Sequence, residues 1–86
     1  MPEISRFFGI TIKMFYGDHA PPHFHAEYGD EAALIDIRNL TVFAGRLSPR
    51  AKGLVIEWAS LHQQELMADW ERAQSQQQLN WIPPLS

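Results

Sequence analysis

The chain contains no cysteine, and this absence limits the chemistry open to it. A protein without thiols has no disulfide framework, no thiolate metal site and no cysteine nucleophile. Any metal would therefore be held by His, Asp and Glu side chains. No apolar run is long enough to cross a bilayer, and the first residues lack the apolar segment of a signal peptide. We therefore expect a cytoplasmic protein that does not enter a membrane.

The chain also lacks an excess of basic residues. Its 7 Lys and Arg are outnumbered by 10 Asp and Glu, and the formal net charge is -3. Domains that grip a nucleic-acid backbone are usually basic, so direct DNA binding by the chain alone is disfavoured. RNA stays open as a substrate if the protein is a nuclease. An acidic surface would instead suit a basic partner protein.

What the sequence does contain is the composition of a single small globular domain, covering residues 1–86. With 45% apolar residues, a chain of 86 residues can build a thin but real core. Residues 4–44 are rich in β-branched and aromatic side chains interrupted by turn residues, which predicts four or five antiparallel strands. The last strand is expected to end at Ala44, before Gly45.

The second half of the chain predicts one long helix. Ser48 and Pro49 are typical of a helix start, and apolar residues then recur at helical spacing from residue 49 to about residue 74. Residues 75–86 begin with a Gln-rich run and end in LNWIPPL, which predicts an extended tail packed on the body or on a partner. The expected fold is therefore α+β: a small antiparallel sheet packed on one long C-terminal helix, followed by the extended tail.

The stretch from Asp18 to Gly29, DHAPPHFHAEYG, is the candidate functional site because it concentrates titratable groups around two prolines. Its second half alternates, so that His23, His25 and Glu27 share one face of a strand. Alternate side chains lie about 6.6–6.8 Å apart along a strand, and two imidazoles at that spacing can converge on one metal ion.

Three interpretations of the two histidines stay open. In the first, His23 and His25 bind a divalent metal, Zn²⁺ or Mn²⁺. The third ligand would then be Asp18, His19 or Glu27. In the second, the two histidines are the general acid and base of a metal-free hydrolysis, with Glu27 as a further catalytic group. In the third, they only hydrogen-bond, or contact a partner, on the surface of the sheet.

A second set of polar residues lies on the predicted helix. His62, Glu65 and Asp69 fall along one line of it, on or beside the apolar stripe. They would join the strand histidines in one site if the helix crossed the sheet close to them. Otherwise they are ordinary polar side chains at the edge of an amphipathic face.

Three cations crowd the start of the same helix: Arg46, Arg50 and Lys52. A helix start has free backbone N–H groups and favours anions. The cluster therefore predicts a phosphate or carboxylate site, with solvated surface charge as the alternative.

A resemblance to a known family is carried by DHAPPHFHAEYG, by EAALIDI and by GRLSPRAKGLVIEWASLHQQELMADW. Over Ile4 to Trp70 the chain resembles the small bacterial family of domains of unknown function numbered 4160. The matching positions are Asp18, His19, Pro21, Pro22, His23, Phe24, His25, Glu27, Tyr28, Gly29, Glu57, Trp58, His62, Glu65 and Trp70. The resemblance implies a small protein often encoded beside another short protein and suspected to form toxin–antitoxin-like pairs. It implies no catalytic residues.

Two functional hypotheses follow. The first is a protein-interaction component of a bacterial toxin–antitoxin-like two-gene module, acting in a hetero-complex with the small protein of a neighbouring gene. The His-rich strand face or the apolar tail would form the interface. A second copy of the chain is another partner to test. The alternative is a small hydrolase or nuclease, with or without a metal, that uses the His23/His25 strand face. In that case His62 and Glu65 would support the reaction and Arg50 would contact phosphate.

Overall fold

The computed structural model describes residues 2–86, which form an antiparallel sheet followed by two helices. The strands pair in chain order, each antiparallel to the next. They are β1 (Glu3–Phe7), β2 (Ile10–Lys13), β3 (His23–Tyr28), β4 (Glu31–Asp36) and β5 (Val42–Arg46); the helices are α1 (Pro49–Leu61) and α2 (Gln63–Gln74). The predicted α+β fold with a small antiparallel sheet is confirmed. No helix within residues 2–86 has the length and apolar character that crossing a membrane requires.

The hairpin of β3 and β4 sets the side-chain pattern of the sheet. Its turn is the two-residue Gly29–Asp30, which places Tyr28 opposite Glu31. The same register places Ala26 opposite Ala33, and both are fully buried. The alternation in the sequence thus separates a core face from the face that carries the histidines, as predicted.

The prediction of one uninterrupted helix over residues 49–74 is wrong, because His62 separates α1 from α2. Its backbone leaves helical geometry (φ -129°, ψ 25°), and its N–H bonds back to the carbonyl of Ala59. A straight helix of that length would extend about 39 Å, at 1.5 Å per residue. The longest dimension of the molecule is 33 Å. The break folds α2 back onto the body, where Leu66 and Ala73 are fully buried, while Leu61 at the end of α1 is left exposed.

Trp58 of α1 lies where the sheet, the helices and the tail meet. Its fully buried ring packs against Phe7 at a centroid distance of 5.2 Å and edge-on against Phe24 at 5.8 Å. Its indole N–H donates to the carbonyl of Pro83, 2.8 Å away. One aromatic side chain therefore connects β1, β3, α1 and the tail.

The tail packs on the body, which is one of the two alternatives that the sequence left open. Ile82 is buried, and its N–H donates to the carbonyl of Ile4 at 2.8 Å, on the outer side of β1. The N–H of Asn80 donates to the carboxylate of Asp69 on α2. Trp81 is instead 56% exposed, so only part of this aromatic and aliphatic segment completes the core.

Gly45 explains why β5 reaches Arg46 instead of ending at Ala44. Its φ is +71°, a region that glycine enters at little cost, and the pairing of β4 with β5 shifts register nearby. A Cβ at this position would overlap the carbonyl oxygen of Ala32 on β4. The close approach of β5 to β4 therefore needs a glycine here.

We expect Gly45→Ala to destabilise the protein by at least about 1–2 kcal/mol, because it adds a left-handed backbone penalty to a clash with β4. Gly53→Ala is the matched control, since Gly53 lies inside α1 with open space around it. That change should stabilise by about 0.4–1 kcal/mol. Urea unfolding of both variants measures the difference, and equal midpoints would contradict the role of Gly45.

Candidate functional site

The loop between β2 and β3 brings Asp18 against the first residues of β3. Gly17 before it has φ +68°, and the Ala20–Pro21 peptide bond is cis. The N–H of Ile37 donates to the carbonyl of Pro22, and Gln74 of α2 donates its side-chain N–H to the carbonyl of Asp18. The loop is thereby fixed to the sheet at one end and to α2 at the other.

The carboxylate of Asp18 is the meeting point of the two strand histidines. Its Oδ2 lies 2.9 Å from Nε2 of His23 and 3.1 Å from Nε2 of His25. Its Oδ1 accepts the backbone N–H of His19 at 2.9 Å, which orients the carboxylate. The three side chains form the His-His-Asp cluster, whose ligating atoms lie within 4.8 Å of one another.

His23 is the buried member of the cluster, with only 3% of its surface exposed. Its Nδ1 lies 2.7 Å from the carbonyl oxygen of Pro21, which can only accept a hydrogen bond. The other ring nitrogen, Nε2, faces the carboxylate of Asp18, so both ring nitrogens lie against hydrogen-bond acceptors. His25 and Asp18 are partly exposed and connect the cluster to solvent.

The surroundings of Asp18 favour its ionised form. Its partial burial would raise the pKa of the carboxyl group, but the hydrogen bonds from His25 and from the backbone of His19 lower it. The charge of His23 and its hydrogen bond act in the same direction, and the net result is a pKa below the ordinary value. The cluster therefore holds a carboxylate anion between two imidazoles.

Three aromatic rings surround the two imidazoles. The ring of Phe15 meets His25 edge-on at 4.6 Å, while Phe43 of β5 and Trp70 of α2 lie 5.4 and 5.3 Å from the ring of His23. Sequence reasoning did not assign Phe15 and Phe43 to the site. For Phe15 a signal existed, since the strand alternation places it on the face of Lys13, which pairs with His25.

The other predicted residues of the stretch lie outside the cluster. His19 is exposed and contributes only its backbone N–H. Glu27 forms an ion pair with Lys13, whose Nζ lies 3.0 Å from its Oε1. The structure thus brings Asp18, but neither His19 nor Glu27, to the two histidines.

The second set of residues stays apart from the cluster. His62 hydrogen-bonds Glu65 at the break between the helices and packs against Trp58. Asp69 is fully buried; its Oδ1 accepts from Arg72 and from the backbone of Asn80. These residues secure the helix break and the tail.

The three cations at the start of α1 are exposed: Arg46, Arg50 and Lys52. Ser48 makes no side-chain cap there, and its N–H donates at 2.8 Å to the carboxylate of Glu31 on β4. A protein carboxylate therefore already lies at this helix start, and anion binding by the three cations stays a prediction.

The fold and the cluster define a small α+β protein in which a five-stranded antiparallel sheet presents two histidines to a loop carboxylate. A family model described as "Domain of unknown function (DUF4160)" matches residues 9–71 of the chain. The protein belongs to this family, and the matched segment contains all three residues of the cluster. Searches among curated proteins and among solved structures found no match.

We expect Asp18→Ala to lower the free energy of unfolding by about 1–3 kcal/mol at pH 7, because it leaves Nε2 of the buried His23 without a partner. Since the pKa of Asp18 is lowered in the folded state, its stabilisation is present above the pKa of an unfolded aspartate. It is lost as the pH falls below about 4.

Urea unfolding in chelator-treated buffer at pH 7, and at steps down to pH 3, measures both effects. His19→Ala is the control, because that exposed side chain has no contact in the cluster, and it should change stability by less than about 0.5 kcal/mol. The wild type should exceed Asp18→Ala in free energy of unfolding by less as the pH falls, and a difference that grows towards low pH would contradict this account.

Proposed function

We propose that this protein is the interaction component of a toxin–antitoxin-like two-gene module and acts in a hetero-complex with the small protein encoded beside it. The observation that carries the proposal is that one edge strand of the sheet is partly covered and the other is not. The outer side of β1 is partly covered by the tail at Ile82. Within residues 2–86, no strand pairs with the outer side of β5, and its residues 43–46 are exposed.

An uncovered edge strand is a template for pairing with another chain. β5 also presents a large apolar side chain, since Phe43 is 46% exposed. Aromatic residues are enriched among the side chains that contribute most to binding. An edge with free backbone groups beside an exposed aromatic ring therefore supports docking of an extended segment of the partner.

The overall charge supports a basic partner. At a net charge of -3 the chain would attract a positively charged protein. It would repel bare nucleic acid, which is itself negatively charged. Such a partner could itself bind nucleic acid, in which case this chain would act on nucleic acid only through the complex.

A hydrolase or nuclease is the second candidate, and the His-His-Asp cluster is the observation that favours it. Two imidazoles and an ionised carboxylate are suitable groups for acid–base or metal-assisted hydrolysis. Active sites usually lie in a concave pocket. A groove of about 560 Å³ runs along α2, lined by residues that include Met67 and Glu71, and the cluster does not line it. The hydrolase therefore ranks second.

If the protein is a hydrolase, His25→Ala should abolish cleavage of RNA or phosphodiester model substrates while the far-UV spectrum stays unchanged. His19→Ala should keep its activity, because that exposed side chain has no contact in the cluster. Cleavage that survives His25→Ala would assign the activity to another site or to a contaminant.

For the interaction function, we expect Phe43→Asp to weaken binding to the neighbouring gene product by roughly 10–100-fold, as loss of a central aromatic anchor does. Phe8→Asp is the matched control: Phe8 is 55% exposed and follows β1 at the opposite edge. It should leave the affinity within about twofold. Isothermal titration calorimetry with the co-expressed partner measures both variants.

Three outcomes would contradict the proposed interaction. One is the absence of any complex with the neighbouring gene product, and another is equal loss of affinity in both variants. The third is a stable homodimer that Phe43→Asp dissociates, which would assign the edge of β5 to a second copy of the chain. Light scattering of the isolated protein detects that dimer.

A further inference from the structure

We propose that Asp18, His23 and His25 form a binding site for one Zn²⁺ ion, held by one carboxylate oxygen and by Nε2 of each histidine. This site does not depend on the hetero-complex proposed above. Three features support the site: the spacing of the ligating atoms, the hydrogen-bond partners of His23 and the surroundings of the cluster.

The spacing of the ligating atoms in the cluster is close to that of a zinc site. Zn–N and Zn–O bonds of about 2.0–2.1 Å at tetrahedral angles place neighbouring ligand atoms about 3.3 Å apart. Oδ2 of Asp18 already lies 2.9 and 3.1 Å from Nε2 of His23 and of His25. Two of the three pairs are therefore within a few tenths of an ångström of the tetrahedral spacing, and all three atoms lie within 4.8 Å of one another.

The ring of His23 is held with Nε2 towards the carboxylate of Asp18. Both of its ring nitrogens face groups that accept hydrogen bonds, the carbonyl of Pro21 and the carboxylate of Asp18. When Nδ1 donates to the carbonyl of Pro21, a metal ion bound to Nε2 takes the place of the proton between Nε2 and the Asp18 oxygen. In metal sites a carbonyl commonly orients a histidine through its other ring nitrogen in this way.

The surroundings of the cluster also match those of metal sites. The backbone N–H of His19 holds Oδ1 of Asp18, so that Oδ2 faces the histidines. The rings of Phe15, Phe43 and Trp70 enclose the imidazoles in an apolar shell, while the partly exposed Asp18 gives an ion a path from solvent. A metal site is expected to have enough ligands, hydrogen bonds that orient those ligands, and a path by which the ion enters.

The ligand set suits zinc and predicts an open site. Imidazole and carboxylate are both established ligands of Zn²⁺. Three protein ligands leave a fourth tetrahedral position for water or for a group from another molecule. Phe43 contacts His23, so the cluster lies beside β5.

The test is calorimetric titration of the untagged, chelator-treated protein with ZnCl₂. We expect one Zn²⁺ per chain. His25→Ala and Asp18→Asn each change a direct ligand, so their affinity for zinc should fall by more than the roughly 10–100-fold that is lost when a residue supporting a metal ligand is removed. His19→Ala is the matched control, an adjacent exposed histidine outside the cluster, and should bind zinc with wild-type affinity. Far-UV spectra confirm that each variant is folded.

A second readout separates zinc binding from a purely structural ion pair. Bound zinc should raise the melting temperature of the wild type but not of Asp18→Asn, since only a ligand of the folded state stabilises it. A wild type that binds no zinc overturns the site, as does zinc binding that survives both cluster substitutions. Loss of binding in His19→Ala overturns the assigned ligand set. The protein alone is used, so failure here leaves the hetero-complex standing.

Discussion

The buried indole of Trp58 is the contact on which the rest of this small structure depends. Its ring packs against Phe7 and Phe24 of the sheet, and its N–H bonds the carbonyl of Pro83 in the tail. A domain of 86 residues has a thin core, so one large side chain that joins helix, sheet and tail supplies much of its burial. With the tail held in this way, Ile82 partly covers β1 and leaves β5 as the open edge.

The His-His-Asp cluster lies at the end of the sheet where the second helix returns to the loop before β3. This arrangement requires the break at His62, because α2 must turn back for Trp70 to reach His23 and for Gln74 to reach Asp18. The same break therefore shortens the molecule and completes the surroundings of the cluster. Substitutions at the break would be expected to affect the cluster through packing.

The cluster and the open edge of the sheet share a residue. Phe43 belongs to β5 and contacts the ring of His23, so a partner that docks on β5 would approach the cluster. A metal ion bound there would orient His23 and could also offer its open position to a side chain of the partner. The two proposals are independent, but their surfaces meet at one aromatic ring.

The sequence by itself determined the local features of this protein. Alternation placed His23 and His25 on one strand face, Gly29–Asp30 defined the hairpin, and Ser48-Pro49 located the helix start, because each depends on residues adjacent along the chain. Only the tertiary structure decided that Asp18 joins the histidines while His19 and Glu27 do not. It also decided that the helix breaks at His62 and that Trp70 and Phe43 enclose the site. These features depend on how a loop closes and how distant elements pack, and no local period encodes either.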